Sequence, residues 1–357
     1  MTNSYFECVI NYYVELELLK LKGSKQPEFT QFDITQYPEK LYKFRSGKQH
    51  DYEALINDYV WLDAPISFLD PEDARINLGQ DDDPETAQKN RTELIEAIAG
   101  YLWNSAKSVF EKCHISRNEF VSLVENNTDE NQSEDKIKKQ LTVYVSTLPA
   151  RDRKPTTEKI SKIIASFNDL DERVEAERTK IISSFQNETK VCCFSESYDN
   201  RFMWENYAGG YAGFIIEYTR PKAEKMTVSD ISTILSFLPV SYFDNPPHVD
   251  ISQLFVDMAS NGGKYLPTSG SKKSLANLYK QIVTKRINYR EEREWRLIRG
   301  KLESNKYSFP FVSAVYAGYK IKPHNLARLK NICQTKGIKL YIQKLDPIER
   351  RITYLEC

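Results

Sequence analysis

The sequence predicts an α+β protein, built on a curved sheet of mixed or antiparallel strands and interrupted by a large inserted helical bundle. Three observations lead there. Short apolar runs of strand length stand at 41–44 and 60–62. From residue 84 to 186 apolar residues fall three and four apart, the helical spacing, almost without a break. From 190 onward strand-like runs return and alternate with short helical patterns.

Each element has its own signal. Residues 1–40 read as a helical extension: Phe6, Val9, Ile10, Tyr13 and Leu16 repeat at helical spacing, before a loop with Gly23 and Pro27. LYKF at 41–44 is a buried strand. DYEALIND at 51–58 is a helix with an acidic first turn, and VWL at 60–62 is a second strand, ended by Asp63, Pro65 and the turn-rich FLDPED. The helical block opens at DDDPE, where Asp83 suits the N-cap and Pro84 the first helical position. The polar run NNTDENQSED at 126–135 is a hinge between its helices. Beyond the block, KVCCFSE (190–196), GFIIEY (213–218) and LPVSYF (238–243) are strands, and 244–272, rich in Pro, Gly and Ser, is a loop or lid. KSLANLYKQIVTKR (273–286) is helical, EWRLI (294–298) and FVSAVYAG (311–318) are strands, Pro323 to Gly337 is a helix, and IKLYIQKL (338–345) is a strand. The domain reading that follows is a core of 41–83 and 187–357 with 84–186 inserted.

Composition excludes several classes. The 357 residues carry 50 Lys plus Arg and 50 Asp plus Glu, which argues against a surface built throughout for nucleic acid. With 22 Tyr and 12% aromatic residues the chain has ample material for a core, so wholesale disorder is not expected. No apolar run reaches the length of a membrane span and the first residues lack a signal-peptide pattern, which together predict a cytoplasmic protein without membrane contact. The cysteines at 8, 113, 192, 193, 333 and 357 have no Cys-x-x-Cys spacing, and His50, His114, His248 and His324 are dispersed; buried reduced thiols and no bound metal are expected.

Three segments concentrate side chains suited to chemistry. In REEREWRLI, Glu292 and Glu294 stand two apart, so an extended chain points both to one side. Such a pair supplies an electrostatic stabiliser and a base, or else it is a solvated cluster entering an edge strand. In VCCFSESYDNRFMWENYAGGYAGFIIEY, Ser195 and Glu196 close an apolar strand, and Gly209, Gly210 and Gly213 permit close backbone approach. Neither a dinucleotide fingerprint nor a phosphate loop is present. Trp204, Tyr207 and Tyr211 fall three and four apart, as one helical face that is either core or a stacking surface. In LYKFRS, Tyr42 and Phe44 face one way and Lys43 and Arg45 the other, where a cation meets a phosphate or pairs with an acid. A further grouping, Asp70 with Glu292 and Glu294, is of the type a metal-dependent nuclease uses, but no basic stripe accompanies it.

Taken in order, LYKFRS (41–46), VWLDAPISFLDPED (60–73), VCCFSESYDNRFMWENYAGGYAGFIIEY (191–218), PVSY (239–242), EEREWRLI (291–298) and FVSAVYAGYKI (311–321) resemble a bacterial domain-of-unknown-function family, number 2971. Leu69 replaces the Asn usual before Asp-Pro in that family, and Tyr289 stands where a Trp is common. More distantly, Arg45, Ser195 and the Glu292-x-Glu294 pair are similar to the Arg, Ser and Glu-x-Glu elements of mono-ADP-ribosyltransferases. That similarity implies a split sheet with NAD as substrate. Arg45 and Tyr42 would lie at the dinucleotide, Ser195 at the nicotinamide ribose, Tyr207 or Tyr211 stacked on nicotinamide, and Glu294 with Glu292 as the catalytic carboxylates. It implies an ADP-ribosyl transfer to a protein or nucleic-acid acceptor, as in a toxin or phage-defence effector. The alternative expectation is a non-catalytic recognition module whose helical insert docks a protein partner.

Overall fold

The computed structural model describes residues 37–70, 72–76, 182–245, 269–300, 302–349 and 351–357, with shorter stretches between 92 and 179. The chain divides into two compact units, one of Met1–Arg75, Phe185–Pro247 and Lys280–Cys357, the other of Ile76–Ser184 and His248–Tyr279. The helix expected within 4–22, the helix start at Asp83 and Pro84, the hinge at 126–135 and most of the 244–272 loop lie outside the described residues.

The first unit is built on an eight-stranded sheet. Its strands are β1 (Lys40–Arg45), β3 (Lys190–Ser195), β4 (Phe214–Thr219), β5 (Phe237–Pro239), β8 (Glu294–Arg299), β10 (Val312–Ala317), β11 (Lys339–Leu345) and β12 (Ile352–Glu356), in the order β12-β11-β10-β4-β1-β3-β8-β5. All neighbours are antiparallel except β10 and β11, which run parallel and are joined through the helix Pro323–Lys336. Parallel neighbours need such a crossover, because a hairpin turn reverses the chain. Two small sheets complete the unit: β2 (Tyr59–Trp61) with β9 (Lys306–Ser308), and β6 (Ser241–Phe243) with β7 (Thr284–Arg286).

The centre of the sheet is unevenly zipped. β1 registers with β4 along six residues, from Lys40 opposite Thr219 to Arg45 opposite Phe214. Against β3 it registers at one position, Tyr42 opposite Ser195. Beyond that point the Cys193 carbonyl takes its hydrogen from a side chain, the Lys43 ammonium, at 2.6 Å. Strand alternation places Tyr42, Phe44, Ser195, Cys193, Glu294 and Arg296 on one face. Tyr42 and Phe44 there pack with Met203, Trp204, Tyr211 and Tyr316. On the opposite face Phe194, Tyr218, Phe237 and Phe309 form an aromatic core with ring centroids 5.0–5.9 Å apart.

Three expectations need correction. LPVSYF is not one strand: Val240 interrupts it, and β5 and β6 join different sheets. The helix expected to run through Arg286 ends at Ile282, and Thr284–Arg286 is strand β7, because Ser241 N–H pairs with the Val283 carbonyl and draws the chain alongside β6. Tyr211 is not on a helix face with Trp204 and Tyr207. The helix Arg201–Asn206 ends at Tyr207, after which Gly209, Gly210 and Tyr211 take positive φ values of 59°, 61° and 70°. Strands β9 and β12 were not anticipated.

In the second unit the described elements include the helices Lys107–Lys112 and Ala150–Asn168, with Phe110 and Phe120 packed at a centroid distance of 4.7 Å. Among the described residues no helix is long and apolar enough to cross a membrane.

The turn 208–213 has one point without slack. A Cβ at Gly213 would stand 2.0 Å from the Arg45 carbonyl oxygen and 2.9 Å from that of Ala208. Both oxygens belong to backbone, so neither yields cheaply. Gly213→Ala is therefore expected to lower the unfolding free energy by about 2–3 kcal/mol in a urea titration. A loss under about 0.5 kcal/mol would show that β1 tolerates displacement at Arg45.

Candidate active site

The site begins with a turn. The segment Ile287–Glu292 is a 3-10 helix, and Arg293 after it is left-handed, with φ 45° and ψ 56°. The chain then enters β8 at Glu294. Glu292 is thus not in the extended conformation that the two-residue spacing suggests. Both carboxylates nevertheless reach one point, because the turn folds Glu292 back toward β8.

Residues 195–200 hold that turn. Ser195 Oγ donates to the Glu292 carbonyl at 2.8 Å, Glu196 N–H donates to the Arg293 carbonyl at 3.1 Å, and Asn200 Nδ2 donates to the Glu291 carbonyl. Asn200 also caps the helix Arg201–Asn206, accepting from Met203 N–H at 3.2 Å. From the other side Glu294 N–H donates to the Tyr242 hydroxyl at 2.9 Å.

The point where the carboxylates meet is the ammonium of Lys285. Its Nζ lies 2.7 Å from Glu292 Oε2, 3.0 Å from Glu294 Oε2 and 3.2 Å from Asp73 Oδ2. Arg296 completes the group: Nε donates to Glu294 Oε1 at 2.7 Å, Nη2 to Asp73 Oδ1 at 2.5 Å, and Nη1 to the Ile282 carbonyl. Arg296 is wholly buried, and Glu292, Glu294 and Lys285 are nearly so. The second oxygen of Glu292 accepts from the Tyr207 hydroxyl at 2.7 Å.

Three carboxylates therefore share two cations, and their protonation divides accordingly. Burial works against the charge of Glu294, but Arg296 and then Lys285 outweigh it and hold this carboxyl well below the usual range. Burial likewise opposes the charge of Lys285, yet Glu294, Asp73 and Glu292 together raise its pKa well above that of a free lysine. Glu292 is left with the excess. Burial raises it foremost, Lys285 pulls it down, Glu294 pushes it up again, and it reaches about 7. With Glu292 protonated the cluster is neutral. Two neighbouring carboxyls with separated affinities for a proton have the protonation states that acid–base chemistry requires.

Asp73, Lys285, Glu292 and Glu294 line a cavity of about 730 Å³, within the ~300–1,000 Å³ range of small-molecule sites. Its wall includes Tyr42, Lys43, Phe44, Cys193 and Phe194, the residues flanking the single β1–β3 register, so the cavity opens where the central ladder is incomplete. Tyr207, Phe68 and Tyr289 add aromatic surface.

Of the residues predicted from sequence, Tyr42, Tyr207, Glu292 and Glu294 line this cavity. Arg45 does not: it lies on the opposite face of β1, 3.6 Å from the Asp51 carboxylate. Ser195 is fully buried and holds Glu292 through its backbone. Tyr211 is core, stacked on Trp204 with centroids 5.6 Å apart and planes 4° from parallel. Asp73, and not Asp70, stands with Glu292 and Glu294 on Lys285; Asp70 lines the cavity and accepts from Glu72 N–H at 2.9 Å. Sequence reasoning missed Lys285, Asp73 and Arg296. The alternation of Glu294 with Arg296 in EWRLI was the one available signal, since in a strand both side chains share a face.

Residues 203–297 match the model of a family described as a protein of unknown function, DUF2971. The matched segment contains Tyr207, Lys285, Glu292, Glu294 and Arg296, whereas Tyr42, Asp73 and Ser195 lie outside it. No curated protein and no solved structure matches the chain.

Two outcomes test this geometry. Lys285→Met leaves three carboxylates facing one guanidinium, and is expected to cost about 3–5 kcal/mol of stability in urea unfolding. The second concerns pH. The folded state holds the Glu292 proton more tightly than the unfolded chain, so the stability this group contributes is present below the ordinary value of 4.5 and is lost as pH rises through about 7. The Tm of Glu292→Gln minus that of the unsubstituted protein should thus grow from about pH 4.5 to about pH 7.5 and then level off. A difference that shrinks over that range would mean that Glu292 is not raised.

Proposed function

We propose that this cavity carries out glycosyl transfer from a nucleotide, with NAD as donor and ADP-ribose as the group transferred. The observation that carries the reading is the pair of buried carboxyls, Glu292 and Glu294, joined through Lys285 at the floor of an aromatic-walled cavity. In this reading the bond between nicotinamide and ribose C1′ breaks, and nicotinamide leaves as a neutral molecule. The positive charge that develops on the ribose is stabilised by Glu294, which Arg296 and Lys285 keep ionised. Glu292 takes the proton of the attacking acceptor group, because its affinity for a proton lies near neutrality. Tyr207 directs the Glu292 carboxyl by its hydrogen bond. Ser195 and Arg45 act outside the cavity, as supports of the Glu292 turn and of the β1 end respectively. The acceptor, protein or nucleic acid, and a toxin or defence role remain the expectation drawn from the sequence resemblance.

The test is nicotinamide release from NAD by the purified protein, supplied with cell extract as a source of acceptor. Glu292→Gln is expected to reduce the rate at least ~100-fold, and the rate of the unsubstituted protein should rise with pH to a plateau with a midpoint near 7. Absence of both NAD binding and NAD consumption would overturn the reading.

A further inference from the structure

The acidic turn FLDPED reaches the site through all three of its carboxylates. Asp73 is anchored inside, with its side chain 10% exposed, by Lys285 and Arg296. Asp70 and Glu72 sit further out. The charge of Asp70 raises the pKa of the nearby Tyr289, ahead of burial. Glu72 pairs with Arg286, and here both side chains meet water, at 37% and 47% exposure. Lys285 and Arg286 are consecutive and both line the cavity, but their partners differ in kind. The ammonium is buried among carboxylates that nothing from solvent can replace at modest cost. The guanidinium is held by one solvated carboxylate, and such pairs contribute little. An arginine at the wall of a ligand cavity, paired with a replaceable anion, is arranged for anion exchange. A pyrophosphate as a whole carries more charge than a carboxylate, and its oxygens match the planar guanidinium with two parallel hydrogen bonds.

We propose that Arg286 is the binding residue for a phosphate or pyrophosphate group of the ligand, and that Glu72 occupies this position until the ligand's anion displaces it. The assignment rests on reading the cavity as a nucleotide site, but not on the reaction carried out there. It also gives Glu72 a definite sign: this residue competes with the ligand.

Binding of inorganic pyrophosphate to the full chain, measured by calorimetry, tests it. Arg286→Ala is expected to weaken binding at least ~tenfold, with Arg286→Lys between the two, and Glu72→Gln to tighten it about three- to tenfold. Both residues are half-exposed, so the variants should melt close to the unsubstituted protein, which a thermal scan verifies. No measurable pyrophosphate binding, affinity unchanged in Arg286→Ala, or affinity unchanged or lowered in Glu72→Gln would each overturn the exchange. The readout is independent of turnover. Arg286-dependent pyrophosphate binding without NAD consumption would leave this subsite standing while removing the transferase reading, and the reverse pattern would do the opposite.

Discussion

Lys285 carries a full charge in a nearly buried position, and the first unit is arranged around that fact. A lone ammonium there would lose its proton or unfold its surroundings. It is retained because carboxylates from three stretches of chain converge on it: Asp73 from the turn after β2, Glu292 from the 3-10 turn, and Glu294 from the first position of β8. Arg296 ties the same groups from the β8 side. Buried ion pairs are a poor source of net stability, since desolvation consumes most of the attraction. Their effect here is on specificity of structure: with Asp73, Glu294, Lys285 or Arg296 missing, the rest face an uncompensated charge, so the segments that carry these four are locked in one arrangement.

That arrangement also divides the labour between the carboxyls. Glu294 has Arg296 and Lys285 in contact and remains ionised, whereas Glu292 shares Lys285 and has the neutral Tyr207 hydroxyl on its other oxygen. The residues are two apart and chemically alike, so the separation comes wholly from their partners. The cavity above them depends on a second constraint, the single register of β1 with β3. A complete ladder at this position would close the gap between the strands. Lys43 satisfies the exposed carbonyl of Cys193 and makes the interruption tolerable for the backbone.

Much of the core was legible, and the reason is local. KVCCFS, FIIEYT and EWRLIR are runs of apolar and β-favouring residues bounded by turn signals, and each forms a central strand. Gly337 ends the helix Pro323–Lys336 in the left-handed conformation that glycine favours, as its position predicted. Where reading failed, a distant partner had decided the outcome. Thr284–Arg286 is strand because β6 lies alongside it. Tyr211 left the helix face because three consecutive left-handed residues turn the chain back onto Trp204.

Family resemblance alone grouped Glu292, Glu294, Tyr207 and Tyr42, which line one cavity; the sequence by itself determined the α+β character and the position of the central strands. These follow from period, composition and turn residues, all properties of neighbours along the chain. Tertiary structure alone decided that Arg45 faces away from the carboxylates while Ser195 acts through the backbone, and that Lys285, Asp73 and Arg296 belong to the site. Burial and charge pairing between residues more than 200 positions apart, as between Asp73 and Arg296, leave no trace in local pattern. They exist only once the sheet has brought those residues together.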